Sequence, residues 1–233
     1  MDKFDILMEL VEQRRQHLPV AYILNNKEFY GRDFYVDQNV LVPRPETELL
    51  IDLVIKEVGN RANKALEILD LGTGSGCIAI TLAKELGSDC NFTAVDSSGA
   101  ALEVARKNAT RYEVSDRINF IQSDWFESLK GKRFDLIISN PPYVNSELGE
   151  LSPELKHEPQ AALYADEQGL SDVKFLVSKF EEYSKPQAIF LCEIGSEQKV
   201  SLEEYCNSLG MEAEFYNDLA GLVRVLRLNT RAV

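Results

Sequence analysis

From residue 66 to residue 228 the chain alternates short apolar runs with longer stretches of helical spacing, and nothing else in it restricts the fold as strongly. Strands are predicted over residues 66–71, 91–95, 117–122, 134–139 and 187–194. Helices are predicted over residues 76–86, 99–111, 170–183 and 197–209. Repeated strand–helix units indicate a mostly parallel sheet with helices on both faces. Two final strands, 212–216 and 222–228, are separated only by residues 217–221, so they are predicted to pair antiparallel and complete a seven-stranded sheet.

Ahead of this alternation the text differs. Phe4, Leu7, Met8 and Val11 fall at helical spacing, which predicts an amphipathic helix over about the first fifteen residues, its apolar face packed on the main domain. Residues 27–42 are aromatic and β-branched around Gly31-Arg32-Asp33, the pattern of a β-hairpin. Pro43-Arg44-Pro45 ends that strand. Pro45 with Glu46 and Glu48 then opens a helix whose buried face is Leu49, Leu50, Leu53 and Val54. The expected organisation is an N-terminal helix over 1–18, a linking hairpin over 19–45 and the main domain over 46–233. Residues 145–168, rich in Pro, Glu and Ser, form the one long irregular stretch, and loops of that length are usually functional or mobile.

The chain of 233 residues can bury one large α/β core with a small appendage. Its 45% hydrophobic and 27% charged residues are ordinary for a soluble globular protein. No apolar run approaches the roughly 18 residues of a membrane span, and the first residues lack a signal-peptide pattern. A cytoplasmic protein without membrane contact is the expectation. The formal net charge of −13 argues against sequence-independent binding of nucleic acid. Cys77, Cys90, Cys192 and Cys206, with only His17 and His157 beside them, have neither zinc-site nor disulfide spacing. No metal is expected, and the cysteines read as reduced thiols.

Three predicted strand ends carry ligand-facing residues. Asp70-Leu71-Gly72-Thr73-Gly74-Ser75-Gly76 closes the first strand and opens a helix, where glycines let a ligand approach the backbone and the helix N-terminus favours a carboxylate. Glycine-rich loops are shared by nicotinamide and flavin proteins. The aspartate before the first glycine and the G-x-G-x-G spacing resemble the S-adenosylmethionine loop of Rossmann-like methyltransferases. Asp96 ends the second strand, where a carboxylate can accept from both ribose hydroxyls; the simpler reading is a helix cap, shared with Ser97. Asp124-Trp125 follows the third strand, so Asp124 can accept from an adenine amine while the Trp125 ring packs on the base.

Asn140-Pro141-Pro142-Tyr143 follows the predicted strand 134–139. This tetrapeptide suggests methyl transfer to a planar, amide-type nitrogen, a poor nucleophile that must be held by acceptors for its N–H groups. The Asn140 side-chain carbonyl and the Pro141 carbonyl supply two acceptors, Pro142 fixes the turn, and the Tyr143 face can lie against the planar group. The plainer reading is a proline-rich turn that ends a strand.

With these motifs in place, the sequence resembles the bacterial peptide chain release factor glutamine methyltransferases of the HemK type, over nearly its whole length. The resemblance rests on residues 19–24, on Leu41-Val42-Pro43-Arg44-Pro45-Glu46-Thr47-Glu48, on the glycine loop, on Ser123-Asp124-Trp125-Phe126 and on the Asn-Pro-Pro-Tyr turn. It continues through His157-Glu158-Pro159, Glu193-Ile194-Gly195 and Asp218-Leu219-Ala220-Gly221. The proline-arginine-proline-glutamate segment together with the Asn-Pro-Pro-Tyr turn makes it specific.

The resemblance implies a class I S-adenosylmethionine-dependent methyltransferase fold and methylation of the glutamine side-chain amide in the Gly-Gly-Gln loop of release factors. It implies that Gly72, Thr73, Gly74, Ser75, Gly76, Asp96, Asp124, Trp125 and Asn140 hold the cofactor. Asn140, Pro141, Pro142 and Tyr143 hold the glutamine, with Asn140, Pro141 and Tyr143 catalytic. Arg44 and Glu46 line the approach, unless they form only a local ion pair at the helix start. Two departures stand out. Asn25 occupies a place where the family usually has glycine, and asparagine tolerates the left-handed conformation such a turn needs. Only the last helix of the family's helical N-terminal domain precedes Pro19, so residues 1–18 read as a remnant of it.

The chemistry implied needs neither metal nor strong base, only alignment and hydrogen bonding. Alternatives are glutamine methylation on a ribosomal protein, amino-methylation of adenine in DNA, and a non-catalytic module that binds a release factor.

Overall fold

The computed structural model describes residues 2–59, 65–145 and 152–230. In chain order its elements are α1 (Lys3–Arg15), α2 (Val20–Leu24), β1 (Lys27–Phe29), β2 (Arg32–Phe34), α3 (Glu48–Gly59), β3 (Leu66–Leu71), α4 (Cys77–Glu85), β4 (Cys90–Asp96), α5 (Gly99–Arg111) and β5 (Ile118–Gln122). They continue as β6 (Phe134–Ser139), β7 (Val144–Asn145), β8 (Tyr164–Ala165), a single turn α6 (Asp166–Gly169), α7 (Ser171–Lys179), β9 (Ser184–Glu193), α8 (Lys199–Ser208), β10 (Ala213–Asn217) and β11 (Val223–Asn229).

Seven strands form one sheet in the order β10-β11-β9-β6-β3-β4-β5. Pairs among β5, β4, β3, β6 and β9 are parallel, and β11 runs antiparallel to both β9 and β10. From β3 the chain first builds outward through β4 and β5, then crosses back to place β6 on the other side of β3. The topological switch therefore falls between β3 and β6, where open α/β sheets form a crevice beyond the strand ends.

Alternation along the strands explains the two main cores. Ile68, Leu136, Ile138, Ile189 and Leu191 meet α3 and α4 on one face. Leu69, Leu71, Ile137, Phe190 and Cys192 meet α7 and α8 on the other. Being covered on both sides, these strands read as nearly continuous apolar runs. A third cluster packs Tyr22, Val36, Val40 and Val42 against Ala101 and Val104 of α5. It fixes the segment after the β1–β2 hairpin to the rim of the crevice, and the Tyr22 hydroxyl donates to the Val40 carbonyl at 2.5 Å.

The predicted sheet, its helices and its final antiparallel pair are all present. The expectation for α1 was wrong. No residue of this helix is buried, and Phe4, Leu7 and Met8 are at least half exposed. It is capped by Asp2 and, among the described residues, attached at its C-terminal end, where Arg14 pairs with Glu154 and the Gln16 carbonyl lies 2.9 Å from His157 Nε2. The helical spacing was right, but it does not say whether a face finds a partner. Asn25 adopts φ 47°, ψ 37°, the left-handed conformation expected of it. The irregular stretch holds two short 3₁₀ turns and the small parallel β7–β8 pair; residues 146–151 lie outside the described residues. All four cysteines are buried and unpaired. Among the described residues no helix is long and apolar enough to cross a membrane, and no cluster of metal-ligating side chains forms.

Candidate active site

A cavity of about 460 Å³ opens at the switch point, within the size range of ligand pockets. Its walls come from the ends of β3, β4 and β6, the segment after β5 and the rim around Val40 to Thr47. A second cavity of about 250 Å³ adjoins it, lined by Pro141, Tyr143, Val144, Leu155 and Leu163. Leu41, Arg44, Asn140 and Ala162 line both.

The glycine loop of the larger cavity is held by contacts fairly close in sequence. The Gly72 and Thr73 amides donate to the Val95 carbonyl at 2.9 Å, tying the loop to the end of β4. Asp96 accepts from the Gly74 amide through Oδ2 and from the Ser98 amide through Oδ1, both at 2.9 Å. Ser98, not Asp96 or Ser97, caps α5 through its side chain. Each Asp96 oxygen keeps lone-pair capacity for a ligand in the cavity. Burial raises its pKa, opposed by those two amide bonds.

The loop glycines have different jobs. A Cβ on Gly74 would meet nothing within 4 Å, so the space over it is open, whereas one on Gly72 would sit 3.6 Å from the Trp125 ring. Gly76, unlike Gly72 and Gly74, does not line the cavity. A Cβ there would lie 2.8 Å from the Ile80 side chain and 3.2 Å from that of Ala105, so this glycine lets α4 pack on α5. Asp70 is buried, accepts from the Thr73 hydroxyl at 2.6 Å through Oδ2, and leaves Oδ1 without a partner among the described residues. Burial pushes its pKa up to about 7.

Trp125 and Asp124 both line this cavity. The tryptophan backbone has φ 42°, uncommon for a residue with a side chain, and the indole N–H donates to Asp172 at 3.2 Å. Asp172, in the first turn of α7, also lines the cavity. It carried no sequence signal beyond a helix start. Asn108 was equally hidden: fully buried in α5, it donates to the Ser75 and Tyr35 carbonyls at 2.9 Å and accepts from the Tyr35 amide, joining the glycine loop to the rim.

The Asn-Pro-Pro-Tyr turn is held from a distance. Asn140 Nδ2 donates to the Thr47 hydroxyl oxygen at 3.0 Å, and the Thr47 hydroxyl donates to Glu193 Oε2 at 2.6 Å. The Tyr143 hydroxyl donates to Glu193 Oε1 at 2.9 Å. Glu193 is fully buried and its pKa is raised by burial, against the opposing bonds from Thr47 and Tyr143 and the nearby Arg224 charge. Below the turn, Gln198 donates to the Gly169 and Tyr143 carbonyls. A Cβ on Gly169 would fall 2.1 Å from the Tyr143 carbonyl oxygen. Pro141 and Tyr143 face the smaller cavity and Pro142 the larger.

Arg44 and Glu46 do not form the local pair that was the alternative for them. Arg44 lines both cavities and pairs at 2.7 Å with Glu158, a nearly fully buried carboxylate that also accepts from the Val42 amide. Glu46 is exposed and lines neither cavity. Glu193 did carry a signal: it is a charged residue that closes the apolar run 188–192.

The methyltransferase domain family matches residues 62–211. The structure of a T. thermophilus 16S rRNA methyltransferase in complex with AdoMet and guanosine aligns with TM-score 0.64 at 19% identity, over 88% of this chain and 50% of that one, a likeness of fold. The sheet order, the crevice and this match define a Rossmann-like class I methyltransferase. A bifunctional methyltransferase of Rickettsia felis is 40% identical over 246 residues, 94% of this chain and 46% of the relative. The release factor glutamine methyltransferase of Salmonella typhimurium is 35% identical over 221 residues, 94% of this chain and 78% of the relative. The chain belongs to the release factor glutamine methyltransferase family. It spans about half the length of its bifunctional relatives.

Proposed function

We propose that this protein transfers a methyl group from S-adenosylmethionine to the side-chain amide nitrogen of the glutamine in the Gly-Gly-Gln loop of a release factor. The observation that carries the reading is the position of Asn140, shared by two adjoining cavities. One suits a nucleoside-sized cofactor and the other a side chain.

The residues present fit S-adenosylmethionine. Open space over Gly74, the Asp96 carboxylate at the cavity wall and the Trp125 ring beside Gly72 are what an adenosine group requires. Asp96 would accept from the ribose hydroxyls, Asp124 from the adenine amine, and Trp125 would cover the base. When bound, the cofactor supplies an activated sulfonium methyl. The protein then has to hold and orient the acceptor. Asn140 Oδ1 and the Pro141 carbonyl would accept the two amide hydrogens, and the Tyr143 ring would border the planar group. Arg44, fixed by Glu158, stands at the mouth common to both cavities. The proton leaves to water.

The test is parallel incubation of a release factor and of duplex DNA with labelled cofactor, followed by peptide mapping. One methyl on the Gly-Gly-Gln glutamine and none on DNA is expected. Label on adenine with none on glutamine overturns the reading. Label on neither favours a binding module or another glutamine-bearing protein.

A further inference from the structure

Glu193 lines neither cavity, yet it is joined through Thr47 to Asn140 by an unbroken hydrogen-bond chain. An ionised carboxylate accepts only. Tyr143 and Thr47 must therefore both donate to Glu193, which uses the only proton of the Thr47 hydroxyl. Thr47 can then only accept from Asn140, so the NH₂ of that amide is drawn to Thr47 and its carbonyl is left on the opposite branch. Thr47 and Glu193 are both buried, and the bond between them is shielded from bulk water.

We infer that Glu193, acting through Thr47, is a positioning residue that sets which end of the Asn140 amide faces the substrate. This rests on the proposed acceptor role of Asn140. The groups facing Glu193 from other elements are Tyr143 after β6, Arg224 on β11, Cys77 on α4 and Thr47 and Glu46 ahead of α3. Protonation reverses the chain. A neutral Glu193 donates to Thr47, the Thr47 hydroxyl turns to donate to Asn140, and the amide rotates to offer its carbonyl to Thr47 and its NH₂ to the substrate. The opposite arrangement would leave a buried hydroxyl hydrogen unpaired. Glu193→Gln imitates the neutral acid at nearly constant shape. Thr47→Val cuts the relay, and Thr47→Ser keeps it.

Turnover, cofactor affinity and hydrogen exchange of the Asn140 side-chain NH₂ in ¹⁵N-labelled protein are measured on all four forms, the NH₂ signal being assigned by its loss in Asn140→Ala. Expected for Glu193→Gln and Thr47→Val is a kcat reduced about thirtyfold or more, by analogy with loss of one orienting group, with cofactor affinity within twofold. Asn140 NH₂ exchange should rise at least tenfold in both. Thr47→Ser should restore both readouts, and wild-type kcat should fall on an acid limb that Thr47→Val lacks. Unchanged kcat and slow exchange in folded Glu193→Gln would overturn the inference. If wild type methylates no Gly-Gly-Gln protein, the substrate reading fails instead, and the exchange measurement alone decides whether Glu193 orients Asn140.

Discussion

The two halves of the site are built in opposite ways. The glycine loop of the half proposed for the cofactor joins residues a short way apart in the chain: Thr73 to Asp70 three positions away, and Gly74 to Asp96 twenty-two away. The acceptor half joins Asn140 to Thr47 across 93 positions and Thr47 to Glu193 across 146. Their buried acids differ as well. Asp70 keeps one oxygen unpaired, whereas both oxygens of Glu193 are bonded. Local construction makes a binding surface that survives small changes. Long-range construction makes an orientation that depends on several elements at once.

The sharpest test of the contrast is the unpaired acid. Burial pushes the Asp70 carboxyl up to about 7 from its ordinary value of 3.8, so the folded state holds the proton more tightly. Stability must therefore fall as pH rises from about 4 to 7 and level off above, by up to about 4 kcal/mol at 1.36 kcal/mol per unit. Asp70→Asn should remove that slope. Parallel pH profiles of unfolding free energy for the two proteins would show that Asp70 is relieved by a partner.

Next is Asn140→Ala, expected to lower methyl transfer roughly a hundredfold or more, about 3 kcal/mol in barrier, with cofactor affinity nearly unchanged. Single-turnover rates at saturating cofactor beside calorimetry decide it, and a wild-type rate ends the clamp mechanism. Asp96→Ala is the mirror experiment on the cofactor half. Affinity should drop by about 1.5–3 kcal/mol through lost charge-assisted bonds; unchanged affinity in a folded variant removes Asp96 from the ribose site.

These three residues also mark what the sequence made readable. The sheet, the glycine loop and the placing of Asp96, Trp125 and Asn140 at strand ends follow from local patterns, since strand ends and glycine spacing are written in contiguous residues. Thr47, Gln198, Gly169 and Asn108 are not legible in that way. Their partners lie far along the chain, and a buried threonine or glutamine has the same local text as an exposed one. The misreading of α1 has the same origin: periodicity gives a face but no neighbour.

A smaller effect compares two glycines. Gly169→Ala meets the Tyr143 carbonyl and a left-handed φ of 84°, whereas Gly74→Ala meets only strain at φ 54°. The first should cost about 1–3 kcal/mol of stability and slow turnover; the second should cost about 1 kcal/mol and act on cofactor affinity. Equal turnover defects would erase the distinction between the halves. Smallest is Leu7→Ala on exposed α1, expected within about 0.5 kcal/mol of wild type, against about 2–5 kcal/mol for buried Leu50→Ala. Thermal melts separate them, and a large loss at Leu7 would mean that α1 is covered in solution.

β3 and β6 pair with Leu71 opposite Ser139, and the Ser139 hydroxyl donates to the Leu71 carbonyl at 2.8 Å. The next residues, Gly72 and Asn140, thus leave the sheet level with each other, from strands about 4.8 Å apart. On the proposed reading, the gap between the support of the methyl donor and the support of its acceptor is a main-chain ruler. Side-chain replacement can empty either support or turn the group it carries, but it cannot lengthen the ruler. Only an insertion or deletion within one of the two strands would do so, in steps of about 3.3 Å, too coarse for any neighbouring side chain to correct.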